Sequence, residues 1–211
     1  NARRLRDHLQ AVEDKSTTHT ILIPMSKGAA DTLEMLKLYP ETAKQLDAIV
    51  SLVGCVCGSP LKNLAPNWLK WAERAIALPS CERFCGDAVV SLDPKTRSDF
   101  LQHFEMPQGP KVYSLAAVVG EEGISKGMMA SFHALSRLGG LNDGQMLLGD
   151  QILPGATFLG ALKCDHIATA MPFNRNRGFM ARFITRRFLN HNAFAREIML
   201  EAIVRQVLED M

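Results

Sequence analysis

The chain has 211 residues, with 24 basic and 22 acidic side chains and a formal net charge of +2 at neutral pH. That balance excludes the electrostatic footprint of a nucleic-acid binder or of a protein drawn to an acidic membrane surface. A hydrophobic content of 47% with 22% charged residues is that of a globular chain with one core, and no apolar run reaches the roughly 20 residues of a membrane span.

Cysteines stand at 55, 57, 81, 85 and 164, an odd number that does not close into a disulfide framework. Cys55-Val-Cys57 and Cys81-x3-Cys85 lack the partner spacing of zinc sites, so no metal and no cofactor is assigned. They read as reduced structural thiols, with a disulfide or a metal as the rarer alternatives. With a charged helix pattern at residues 1–10 instead of a secretory signal, the expected setting is cytoplasmic.

In chain order, Leu5, Leu9 and Val12 form one stripe of an opening helix. The β-branched run 19–23 reads as a buried parallel strand that breaks at Pro24-Met-Ser-Lys-Gly28. A helix follows, with Ala29, Leu33 and Leu36 inward, and Tyr39-Pro40 stops it. The run 47–53 is a second strand, closed by Gly54 and Gly58-Ser-Pro60. Residues 61–109 differ in kind: Trp68, Trp71, Ala72 and Ala75 share a helical face, and Asp93-Pro94 caps a helix to about Phe104. A third strand spans 111–119, a helical stretch 124–138, a turn Asn142-Asp-Gly144, and a fourth strand 157–162. Beyond a basic loop, Phe194, Ile198, Ala202 and Val207 mark a closing helix. Strands alternating with helices give an α/β, doubly wound parallel sheet.

Ligands of such sheets bind at the carboxyl ends of the strands. Ser26, Asp143 and His166 each follow a strand end, in the order nucleophile, acid, base. A serine hydroxyl needs a base to take its proton, an imidazole can take and return it, and a carboxylate holds that imidazole in the useful tautomer. At the head of the following helix the Lys27 N–H is aimed to stabilise an oxyanion.

The segments Ile21-Leu-Ile-Pro-Met-Ser-Lys-Gly28, Leu141-Asn-Asp-Gly144 and Leu162-Lys-Cys-Asp-His166 resemble the nucleophile elbow, acid loop and histidine loop of the α/β-hydrolase family, in its lipase and esterase-like branch. The resemblance implies strands five to eight of that fold, divided into a nucleophile part (1–60), a helical cap or lid (61–109) and an acid and histidine part (110–211). It implies hydrolysis of a carboxylic ester through an acyl-enzyme on Ser26, with Asp143 and His166. Met25, Trp68 and Trp71 are the candidate substrate contacts, and with Leu69 and Phe84 they suggest an apolar acyl or alcohol group on a small-molecule substrate.

The chain departs from the family elbow G-x-S-x-G at Pro24, whereas Gly123-Ile-Ser-Lys-Gly127 fits the motif fully. Ser125 is the lesser candidate because no strand–helix–strand fits between it and Asp143. Asp150 is the reserve acid, Asp165 reads as support for the histidine loop, and His103, His133 and His191 read as structural. The family's first four strands and its second oxyanion donor precede the nucleophile, so the chain is expected to be a fragment or a sequence lacking its preceding residues. Those residues, or a partner chain, would cover the first strand. Alternatives are a non-catalytic binding or scaffold protein with this fold, and a thioesterase or acyltransferase using the same three residues.

Overall fold

The computed structural model describes residues 1–12, 19–61, 91–169 and 194–211. Four strands, β1 (Ile21–Leu22), β2 (Ala48–Leu52), β3 (Lys111–Val118) and β4 (Thr157–Lys163), form one sheet in the order β1-β2-β3-β4. All three pairings are parallel, as the alternating strand and helix pattern requires.

β1 is shorter than the run 19–23 because Pro24 carries no N–H to give to its neighbour. Pairing resumes in the same register at an isolated bridge between Met25 and Leu52. Leu52 spans the gap, its N–H donating to the Pro24 carbonyl at 3.0 Å and its carbonyl accepting from the Ser26 N–H at 3.1 Å.

Side chains alternate across the strands, so each face has its own core. Ala48, Val50 and Leu52 of β2 join Tyr113, Leu115 and Ala117 of β3 on the face covered by helix α5 (Arg196–Asp210). On the opposite face Ile49 packs under helices α1 (Ala2–Gln10) and α2 (Lys27–Leu38), with Leu9, Met35 and Leu36 buried around it. Val112 meets Leu33, Val56, Phe100 and Leu101 on that same side, which brings in helix α3 (Pro94–Gln102). Helices therefore cover both faces.

Three local expectations are corrected. Val12 lies past the end of α1 and is 39% exposed, so the opening stripe is Leu5 and Leu9. The stretch 124–138 divides into a 3₁₀ turn (Lys126–Met128) and helix α4 (Met129–Ser136). In α5 the residues pressed on the sheet are Met199, Ile203 and Val207, a strict four-residue stripe, whereas Ile198 is 69% exposed. The side of α5 that faces β2 and β3 decides this, not the helix's own sequence.

Asp93 caps α3 as expected, its carboxylate accepting from the Thr96 N–H at 3.3 Å, a contact worth about 1 kcal/mol. The expected cap helix around Trp68 and Trp71 lies outside the described residues, as do Leu69, Cys81, Phe84, Cys85 and His191. Among the described residues no helix is long and apolar enough to cross a membrane.

Candidate active site

The site is built at the carboxyl end of the sheet, starting from the backbone of Ser26. The chain leaves β1 and enters α2 in one tight turn, with the Gly28 N–H reaching the Met25 carbonyl at 2.8 Å. Ser26 sits in that turn at φ 53°, ψ −124°, a region non-glycine residues rarely visit. The surroundings hold it there. Its N–H donates to Leu52, and its carbonyl accepts from the Ala29 N–H at 3.1 Å and the Cys55 N–H at 2.9 Å. Val53, beside Cys55, is itself bent to φ 41° and fixed by its N–H to the Leu115 carbonyl at 2.8 Å. The exit of β2 thus clamps the serine backbone from the neighbouring strand.

Asp143 follows α4 rather than β3 directly, and its turn is returned to the strand end by the Val119 N–H donating to the Asn142 carbonyl at 3.0 Å. The Asn142 side chain accepts from the Gly144 N–H at 2.9 Å, the local bond that makes asparagine a turn former. Gly144 has φ 89°, a backbone conformation that strains any larger residue, and a Cβ there would lie 2.7 Å from Ile124 Cδ1 and 2.8 Å from Met128 Cε, so those side-chain ends would have to shift. Asp143 itself is fully buried. Its Oδ1 accepts from the N–H groups of Gln145 and Met146, both at 2.8 Å, which aims Oδ2 at the histidine.

His166 opens a 3₁₀ turn after β4 and is 8% exposed. Its backbone N–H donates to the Asp143 carbonyl at 2.9 Å, and its ring Nδ1 lies 2.7 Å from Asp143 Oδ2. An ionised carboxylate only accepts, so the ring proton belongs on Nδ1 and Nε2 is left as an acceptor. Ser26 Oγ lies 2.9 Å from that Nε2. The three residues selected from the sequence therefore meet in one hydrogen-bonded line, serine to imidazole to carboxylate.

The neighbouring candidates fall elsewhere. The Lys27 N–H, first in α2, has no hydrogen-bond partner among the described residues, while its ammonium pairs with Asp31. Met25 is half-buried against the cluster under α5. Ser125 is fully buried and its hydroxyl donates to Asp165, away from the histidine ring. Asp150 is not in the line: its backbone carbonyl holds the Val56 and Cys57 N–H groups, and burial pushes its carboxyl up from the ordinary aspartate range. His103 closes α3 with its ring on the Asp99 carbonyl, and His133 faces Glu121 at 3.7 Å. Burial also pushes the thiols of Cys55 and Cys164 up to about 12, and with Cys57 they are free. Among the described residues no cluster could hold a metal.

Sequence reasoning missed the support given by Gln151 and, although it read Asp165 as support for the histidine loop, it missed the partner Ser125. Gln151 is fully buried, and its side-chain amide bonds both the N–H and the carbonyl of Ala117 at 2.8 and 3.0 Å, completing the edge of β3 beyond the end of β2. The Ser125–Asp165 pair ties together segments 40 residues apart. Neither has a local signal, because each depends on which loops the sheet brings together.

No family model and no curated protein matches the chain. Among solved structures, a metagenomic carboxyl esterase, MGS0156, superposes with a TM-score of 0.87 at 32% identity, over 100% of this chain and 62% of that one. The mature form of the Bacillus licheniformis lipase BlEst2 superposes with a TM-score of 0.62 at 25% identity, over 78% of this chain and 65% of that one. The chain thus spans less than two thirds of the length of either of these two structures.

Proposed function

We propose that this chain, which has the α/β-hydrolase fold of its esterase and lipase neighbours, cleaves a carboxylic ester through an acyl-enzyme on Ser26. One observation carries the reading: Ser26 Oγ lies 2.9 Å from His166 Nε2 while Nδ1 of the same ring lies 2.7 Å from Asp143 Oδ2. In this reaction His166 takes the hydroxyl proton as Ser26 Oγ bonds to the ester carbonyl carbon. It then returns the proton to the leaving alcohol. Asp143 keeps the imidazole in the right tautomer and stabilises the imidazolium. The Lys27 N–H supplies one donor for the negative charge that develops on the carbonyl oxygen. Water then repeats the sequence on the acyl-enzyme, with His166 as its base.

The substrate is an ester with an apolar acyl or alcohol group. The neighbours' description as carboxyl esterase and lipase supports this. Turnover of p-nitrophenyl butyrate by the intact protein tests the reading. The wild type is expected to hydrolyse it, and Ser26→Ala to lose kcat by a factor on the order of 10⁶. Ser26→Ala at wild-type rate would refute it.

A further inference from the structure

His166 has a neighbour on each side in the chain, and both are anchored to one segment. Asp165, 1% exposed, accepts on Oδ2 from the Ser125 N–H at 2.9 Å and from the Ser125 hydroxyl, and on Oδ1 from the Ala168 N–H at 2.9 Å. Ile167 packs with Ile124 and Met128. The same Ile124 and Met128 close over Gly144, next to the acid. The segment 124–128 is thus a platform touched by the histidine loop on both sides of the imidazole and by the acid loop.

We infer that Asp165 is a positioning residue of the reaction, holding His166 in line with Ser26 and Asp143 by clasping Ser125. This rests on the proposed roles of Ser26, Asp143 and His166. An isolated buried carboxylate is costly, so an ionised group at this depth persists only when its lone pairs are used. Here three donors converge on it, and Arg196, buried at the start of α5, feels its charge. None of these donors comes from the imidazole, whose ring nitrogens are committed to Asp143 and Ser26. Asp165 acts on the ring only through the backbone of its own loop. The Gly-x-Ser-x-Gly sequence at 123–127, a perfect match to an elbow, is accounted for as the clasp: Ser125 has both its N–H and its hydroxyl on one carboxylate oxygen. A ring that loses this hold drifts by fractions of an ångström, and misplacement on the ångström scale costs about 100-fold in rate.

The test compares Ser125→Ala and Asp165→Asn with Ser26→Ala and Leu36→Ala, using p-nitrophenyl butyrate kinetics and the downfield proton NMR signal of the His166 Nδ1–H. Leu36 is fully buried on the opposite face of the sheet and controls for lost stability alone. The expected result is kcat lowered about 10- to 100-fold in Ser125→Ala and Asp165→Asn, with KM within twofold. The Nδ1–H signal should be broadened or lost in both, and both readouts should be unchanged in folded Leu36→Ala. Should Asp165→Asn fail to fold, Ser125→Ala decides alone, since it removes only a hydroxyl. Wild-type kcat and an unchanged proton signal in folded Ser125→Ala would overturn the inference while Ser26→Ala is inactive. Full activity in Ser26→Ala would overturn the proposed function instead.

Discussion

His166 is tied to Asp143 at two points, backbone N–H to backbone carbonyl at 2.9 Å and ring Nδ1 to carboxylate Oδ2 at 2.7 Å. The first bond places the loop and the second selects the tautomer. Replacing Asp143 with asparagine keeps the backbone bond and the shape of the turn but removes the charge and allows the ring to turn over. kcat for p-nitrophenyl butyrate is therefore expected to fall on the order of 10⁴-fold, with circular dichroism and KM little changed. A loss of less than tenfold would remove Asp143 from the reaction.

The separation of Asp150 from this line gives a prediction of opposite sign. Burial raises its carboxyl above the ordinary value of 3.8, and its side chain has no partner among the described residues. A raised carboxyl means that the native state binds the proton more tightly than the unfolded one, so stability is lost as pH rises above the ordinary value. Asp150→Asn is expected to raise Tm at pH 7, by an amount that shrinks as the pH is lowered towards 3.8, and to leave kcat at the wild-type level. Thermal melts across pH 4–8 with parallel rate assays check both halves.

Much of the site was legible in the sequence because Ser26 and His166 sit just after runs of strand character and Asp143 sits in a turn marked by its composition. Ser26 follows 19–23, His166 follows 157–162, and Asn142-Asp-Gly144 is a turn by composition. The length of β1 was less legible, since Pro24 removes one rung of a ladder whose partner strand had to be known. The buried stripe of α5 was misread because Ile198 and Ala202 share the four-residue spacing of Met199 and Ile203, and only the sheet distinguishes the two frames. The family motif at Gly123-Ile-Ser-Lys-Gly127 shows that residue types alone do not make an elbow. What marks one is a serine forced to positive φ between a strand and a helix, as at Ser26 and not at Ser125, where φ is −61°.

The cysteines divide by burial. With their thiols pushed up to about 12, Cys55 and Cys164 carry about one thiolate in ten thousand at pH 8. Native protein treated with iodoacetamide at that pH is expected to leave both unmodified in site-resolved mass spectrometry, with both labelled in urea. Rapid native labelling of either would show that it is more open than its burial allows.

The central claim is that Ser26 is the nucleophile, and a fluorophosphonate tests it most directly because it bonds only to an activated hydroxyl. Peptide mapping of the labelled intact protein is expected to find one phosphonylated residue, Ser26, with labelling abolished in Ser26→Ala and His166→Ala and slowed in Asp143→Asn. Phosphonylation of Ser125, or labelling that survives Ser26→Ala, would contradict it.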